Sequence, residues 1–349
     1  MSQARRQNVK RATIRDVAQA AGVSVTTVSN ALNGRTEAMT EATLLRIQET
    51  IHSLNYRPST VARSLVTQQT ATIGVIVTEI ETPLFLQALN VIEPMARNAD
   101  YSILLCTTAY NLDDESQAVN LLLEKQVEGI IILSTSLDRD NDDLARLPSS
   151  APPIVLINRA RAYDGRFDQI NVDNLNGIIK GIEYLFGLGH RRIAHLCGPP
   201  ARRSSQERLR GYQLGLKRHG LAYCDEYVRP GNYEEAQTAW EQSTLELLAL
   251  SPRPTAIIAA NDIVAATALR TAQRAGLRVP QEISIIGVDN QPFCTYLNPA
   301  LSTIQLPLIE AGKLAMEMLL DRLAGRRTAT EQITLSCPLI ERESSGAAE

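Results

Sequence analysis

The chain has 349 residues, 44% hydrophobic and 4% aromatic, with 35 basic against 38 acidic side chains, a soluble, globular composition with length for two or three domains. No apolar run approaches the roughly 18 residues of a membrane span, and MSQARRQNVKR lacks the apolar core of a secretory signal. Five scattered cysteines without a C-x-x-C pair and four histidines without H-E-x-x-H spacing exclude a disulfide scaffold and predict neither metal nor cofactor, in a reducing, cytoplasmic setting.

The net charge of −3 hides an asymmetry. Residues 1–69 hold nine Lys/Arg and four Asp/Glu, a charge of +5, which leaves −8 on residues 70–349. A basic head on an acidic body points to an anionic partner at the N-terminus, nucleic acid first among them, with a solvated basic tail as the alternative.

The first sixty residues read as helices in tandem. Thr13 and Asp16 fit a helix cap whose third residue reaches back, and Ile14, Val17, Ala18 and Ala21 share one face. Gly22 permits a tight turn, Ser24 caps a second helix with Val28, Ala31 and Leu32 inward, and Asn33-Gly34 stops it. A third helix runs from Thr40 through Leu44, Ile47, Ile51 and Leu54. This is the pattern of a helix-turn-helix, with a three-helix protein-interaction domain as the other reading. In that geometry Val25, Thr26 and Asn30 meet base edges, while Arg15, Thr27, Ser29 and Arg35 are placed for phosphates. Pro58 ends the third helix, and Ser59 caps a further short helix that is marginal alone. Its Leu65 suits a wedge between minor-groove base steps.

From Thr13 to Val66 the chain resembles the LacI/GalR family of bacterial transcription regulators. The shared motifs are D-V-A-x-x-A-G-V-S-x-x-T-V-S from Asp16 and N-Y-x-P-x-x-x-A-x-x-L from Asn55. The resemblance implies that the second helix reads an operator and that the hinge leucine kinks DNA within a paired dimer. By position it assigns DNA contacts to Thr13, Arg15, Ser24, Val25, Thr26, Thr27, Ser29, Asn30, Arg35, Tyr56, Ala62 and Leu65. Asn30 stands where the family often has arginine.

Beyond residue 71, short apolar runs alternate with helix-length stretches. The strands are expected at 72–77, 101–106, 129–133, 154–157, 193–197, 256–260, 283–288 and 302–306, which means parallel sheets covered on both faces. Some 280 residues exceed one compact sheet, so two doubly wound lobes are expected, with ligand at the strand carboxyl ends. The division reads as a DNA-binding head at 1–58, a hinge at 59–70 and an effector domain at 71–349. Its N-lobe is expected at about 71–168 plus 305–330, and its C-lobe at about 169–300 plus 331–343. Asp262 and Asn174 read as helix caps. Arg159, Arg161, Arg202, Arg203 and Arg208 form a cationic set near the strand ends, which favours an acidic ligand if two or more face inward.

The resemblance extends to about residue 342, where the body is similar to periplasmic sugar-binding proteins. It implies that Arg208, Asn261 and Asp289 hold a ligand, and that Phe85, Asn158, Arg202, Ser204 and Tyr233 occupy positions that vary with ligand. Asn158 replaces an aspartate common there. The expected protein is a homodimeric regulator, most simply a repressor, of a near-palindromic operator. Its effector would be a sugar, sugar acid or sugar phosphate. No G-x-G-x-x-G follows the first strand and no Walker loop occurs, so an enzyme is not expected. The residues 343–349 carry no heptad, so no tail-helix bundle is expected.

Overall fold

The computed structural model describes residues 12–32, 34–37, 39–57, 69–78, 83–109, 111–133, 142–159, 165–233 and 237–348. The chain divides into two compact units, Met1–Thr70 and Ala71–Glu349.

The first unit contains helices α1 (Ile14–Ala21), α2 (Val25–Leu32) and α3 (Glu41–Ser53). Val17, Ala18 and Ala21 of α1 meet Val28 of α2 and Ile47 of α3 in one small core, as their helical spacing requires. Thr40 caps α3. Leu54 does not join the apolar face expected for it. It is the C-cap and is exposed, because Asn55 turns the backbone to a φ of 45° and Tyr56 donates its N–H back to Ile51 O. Residues 59–68 of the expected hinge, Ala62 and Leu65 among them, lie outside the described residues.

In the second unit the chain builds β1 (Thr72–Val77), α4 (Pro83–Asn98), β2 (Ser102–Thr107), α5 (Leu112–Glu124), β3 (Gly129–Leu133), α6 (Asp142–Arg146), β4 (Ile154–Ile157) and β5 (Asp168–Val172). Then follow α7 (Asn174–Gly187), β6 (Ile193–Cys197), α8 (Arg203–Arg218), β7 (Val228–Pro230), α9 (Gln237–Leu248), β8 (Ala256–Ala259), α10 (Asp262–Arg274), β9 (Ser284–Asp289) and β10 (Ser302–Gln305). The last elements are α11 (Leu308–Leu323), β11 (Gln332–Leu335) and β12 (Leu339–Ile340).

Among the described residues these strands form two sheets, ordered β11-β5-β4-β3-β1-β2 and β12-β10-β9-β8-β6-β7. The two lobes therefore repeat one winding, and pairing is parallel except between β10 and β12. Continuous apolar strands follow from burial on both faces. Val75 and Val77 of β1 pack with Ala88 and Ile92 of α4, while Ile76 turns to Val119 and Leu122 of α5.

Two lobe assignments need correction. Residues 169–172 and 332–335 belong to the first sheet and not to the C-lobe, because β11 pairs in parallel with β5 in the register Gln332–Gln169 to Leu335–Val172. Asp168 anchors that pairing: fully buried, it accepts from Arg322 Nε at 2.5 Å and from the Glu331 N–H at 2.8 Å. The chain thus passes between lobes after Val172, after Gln305 and after Leu335. The segment after β12 is stitched into the C-lobe, with the Ile285 N–H donating to Ser344 O (2.8 Å) and His190 Nε2 lying 3.0 Å from Gly346 O.

Candidate functional site

The head presents one polar surface, and local chemistry fixes it. Thr13 and Asp16 form a reciprocal capping box, the Thr13 N–H donating to Asp16 Oδ2 at 2.7 Å. Gly22 takes a φ of 63°, a left-handed turn that glycine adopts without strain. Ser24 Oγ then accepts from the Thr27 N–H at 3.0 Å and starts α2. With Val28 buried, Val25 and Thr26 are exposed and Asn30 is half-buried on α2, with Arg15 and Arg35 exposed nearby in sequence. Ser29 and Tyr56 are half-buried, and Tyr56 packs against the small core.

The C-lobe winding places a topological switch between β6 and β8, where open α/β sheets bind ligands at the strand carboxyl ends. Arg208, on α8, lies at that point and is buried. Its Nη1 donates to Ala260 O just past β8, its Nε donates to Asn174 Oδ1 at 3.0 Å, and its Nη2 stands 3.9 Å from Asp289 Oδ1 at the end of β9. One guanidinium thus joins the ends of two strands to the start of α7. Asn174 in turn donates Nδ2 to Glu207 Oε2 at 3.3 Å.

Burial pushes the Asp289 carboxyl up to about 8, against the pull of Arg208 and with a further push from Asp262. Asp262 is itself raised by burial to about 6 and held back by Thr303 Oγ1 and the Gln291 N–H, which donate to it at 2.5 and 2.7 Å. Below this level β6 carries His195, whose Nδ1 lies 2.8 Å from Ile258 O and whose ring stacks 5.2 Å from Tyr212. Burial, the larger cause, and Arg208 push its pKa down to about 4. The ring is neutral and donates through Nδ1.

Beside this cluster Arg202 lies 4.9 Å over the Tyr233 ring, and Tyr233 stacks on Trp240 at 6.3 Å. Gly198 makes room for the tyrosine. A Cβ there would stand 2.2 Å from the phenol oxygen. Ser204 is buried in the first turn of α8.

Two expected caps are exchanged with their neighbours. Asn261, expected on the ligand, caps α10 by accepting from the Val264 N–H at 2.8 Å, while Asp262 lies buried. Asp173 caps α7, accepting from the Asn176 N–H at 3.0 Å, and Asn174 is freed to orient Arg208.

In the N-lobe the sheet's carboxyl edge carries Thr78, Asn158 (φ 60°) and Arg159. Arg159 is fully buried and paired with Glu115, leaving its Nε and Nη1 without hydrogen-bond partners, as is Thr78 Oγ1. Phe85 is 3% exposed and packs within the apolar cluster, so its ring offers no open platform. Of the expected cationic set, Arg203 pairs with Glu207 at 2.7 Å, and Arg161 lies outside the described residues. The structure therefore brings Arg202, Ser204, Arg208, Tyr233, Asn261 and Asp289 to one lobe, with Asn158 on the other. Sequence reasoning gave Asn174 the role of a cap and not that of a partner of Arg208, and it missed Glu115; the partners of both are distant in the chain.

Comparison with known proteins fits both units. Residues 13–59 match the model of bacterial regulatory proteins of the lacI family, and residues 182–345 match the periplasmic binding protein-like domain. The HTH-type transcriptional repressor PurR of Photobacterium profundum is 33% identical over 333 residues, 95% of this chain and 98% of the relative. The chain belongs to the LacI family of bacterial regulatory proteins. It is a DNA-binding transcriptional repressor of that family. The PurR of Proteus mirabilis is 34% identical over 337 residues, covering 95% of this LacI-family chain and 96% of the relative. Among solved structures, the lac repressor dimer bound to operator and the anti-inducer ONPF is similar with a TM-score of 0.84 at 28% identity, covering 97% and 100% of the two chains. The complex of the transcriptional regulator CelR with cellobiose gives 0.70 at 26% identity, covering 96% and 100%. No helix among the described residues is long and apolar enough to cross a membrane.

Proposed function

We propose that this LacI-family repressor is a homodimer whose affinity for a near-palindromic operator is set by a small carbohydrate-derived ligand held between its two lobes. The observation that carries the reading is Arg208, which stands buried at the C-lobe switch point between Asn174 and Asp289. The guanidinium donors stand among the Asn174 amide, the Ala260 carbonyl and the Asp289 carboxyl, so one site offers both the donors and the acceptors that the hydroxyls of a sugar, sugar acid or sugar phosphate require. Arg202, Ser204, Tyr233 and Asn261 complete the C-lobe wall and Asn158 the other, with Arg159 supplying donors. Similar solved structures support this choice, since CelR is complexed with cellobiose and a LacI transcriptional regulator of Alkaliphilus metalliredigens with D-xylulofuranose.

In the head, Val25, Thr26 and Asn30 read base edges, and Thr13, Arg15, Ser24, Thr27, Ser29 and Arg35 hold the backbone. Tyr56, Ala62 and Leu65 serve the hinge, with Leu65 as the minor-groove wedge. Ligand binding changes the lobe angle and thereby the hinge, which is marginal alone and responds to a small bias. The N-lobe supports pairing through the body: β2 is the outer strand of its sheet among the described residues, with Leu105 exposed on it and Leu86 and Leu121 exposed on α4 and α5.

The test is a thermal-shift screen of the full chain against neutral sugars, aldonic acids, sugar phosphates and nucleobases. It is followed by operator binding with and without the hit, using a duplex selected from a random pool. A carbohydrate that raises the melting temperature and alters operator affinity supports the reading. Stabilisation by nucleobases alone, or a hit without effect on DNA, refutes it.

A further inference from the structure

The end of β9 is strained in a specific way. Asp289 and Asn290 take consecutive positive φ angles of 116° and 54°, and neither is glycine. Asparagine tolerates the left-handed region, but aspartate at 116° lies outside it, a conformation that persists only where the surroundings over-determine it. The surroundings do so through the Asn290 side chain. Its Nδ2 donates to Gln305 Oε1 at 3.3 Å, its Oδ1 accepts from Arg342 Nη2 at 2.6 Å, and its backbone N–H donates to Thr303 Oγ1 at 3.2 Å.

The two side-chain partners share one property. Gln305 is the last residue of β10, where the chain leaves for α11 against the N-lobe sheet. Arg342 follows β12, the first strand after the chain returns from β11 of the N-lobe sheet. Arg342 is itself fixed, with Nη1 donating to Leu301 O at 2.6 Å and its backbone N–H to Ser302 Oγ at 2.8 Å. A single amide therefore bonds to the residue that ends β10 before the outgoing crossover and to one just past β12, the strand that follows the returning crossover, and its neighbour in sequence is the carboxyl beside Arg208.

We propose that Asn290 is a positioning residue that couples displacement of Asp289 to the interlobe crossovers and so sets the lobe angle. This rests on the reading of the cleft as the effector site. A ligand that pulls on Asp289 rotates the adjoining peptide, and with both φ angles confined the rotation is taken up by the hydrogen bonds of Asn290. Those bonds end where the C-lobe sheet meets the two crossovers, the segments that bend when the lobes close, which gives the ligand a differential interaction with the two lobe arrangements.

The test uses the full chain and the operator duplex recovered by selection with it, either alone or with the ligand found by thermal shift. Asn290→Gly accepts the φ of 54° without strain and deletes both side-chain bonds, whereas Asn290→Asp keeps an acceptor for Arg342. The expected result is an operator Kd for Asn290→Gly changed by about five-fold or more. Its Tm stays within about 3 °C of wild type, the scale of a 1 kcal/mol change in a domain of this kind. Asn290→Asp restores most of the lost affinity difference. Gln305→Met, which removes one acceptor while keeping the side chain's length, shifts Kd in the same direction as Asn290→Gly and serves where the glycine variant unfolds. Wild-type operator affinity in a folded Asn290→Gly or Gln305→Met overturns the proposal, as does a Tm loss with unchanged Kd. A wild-type chain that selects no duplex, either alone or with the ligand found by thermal shift, overturns the functional reading itself, and the relay with it.

Discussion

Arg208 Nε donates to Asn174 Oδ1 at 3.0 Å, and that bond holds the guanidinium where its Nη2 faces Asp289. The counter-charge does not outweigh burial, so the Asp289 carboxyl remains raised, to about 8. A folded-state pKa above the unfolded one contributes stability that is present at low pH and lost as pH rises through the folded value. Asp289→Asn mimics the protonated form at every pH. The wild type is expected to lose stability relative to Asp289→Asn between about pH 5 and pH 8, measured by urea unfolding of both. Parallel pH profiles would show that Arg208 keeps the carboxylate ionised.

His195 has the opposite sign. Its folded pKa is lowered to about 4 from 6.5, so the unfolded chain binds the proton first and stability falls as pH drops below 6.5. From about pH 7.5 to pH 5 the loss is about 2 kcal/mol at roughly 1.36 kcal/mol per unit. His195→Phe keeps a ring against Tyr212 and removes the titration. Its denaturant midpoint should change less over this range than that of the wild type, and an equal slope would place the proton elsewhere.

The head and the body were not equally legible from sequence. Thr13, Asp16, Gly22 and Ser24 act within four residues of themselves, so their roles follow from spacing alone. The strands of the body were also readable, because burial on both faces leaves continuous apolar runs. What failed was whatever depends on distant pairing. The sheet that takes Gln332–Leu335 is decided by a register with Gln169–Val172, across some 160 residues. The three-residue strand β7 ends in Pro230 and leaves no periodic signal. In each of the pairs Asp173-Asn174 and Asn261-Asp262 both residues are competent caps, and only the position of the first helical turn decides which one caps.

Gly211 tests how closely α7 and α8 approach. A Cβ at this position would stand 2.4 Å from the Leu175 carbonyl oxygen, a backbone atom that cannot swing aside. Gly211→Ala is expected to destabilise the chain by about 2–3 kcal/mol through overpacking, despite alanine's better helix propensity. Thermal unfolding measures it, and an unchanged Tm would mean that the helices separate at little cost.

Base reading and phosphate contact separate by salt. Asn30→Ala should weaken operator binding about 10–100-fold and relax preference at one base position, leaving the dependence on salt unchanged. Arg35→Ala should weaken all duplexes alike and reduce the salt slope by about one. Fluorescence anisotropy across a salt series distinguishes them, and an Asn30 variant with an altered slope but intact preference would exchange the two assignments.

The winding of the body also bears on how the protein is made. The N-lobe sheet closes only with Gln332–Leu335 and the C-lobe sheet only with Leu339–Ile340. Both lobes therefore stay unfinished on the ribosome until Gln332–Ile340 has emerged, whereas the core of the head, among the described residues, is complete by Tyr56. A nascent chain carries a finished DNA-binding module well before it carries a finished regulator, and a message truncated within α11 would leave the module without its control.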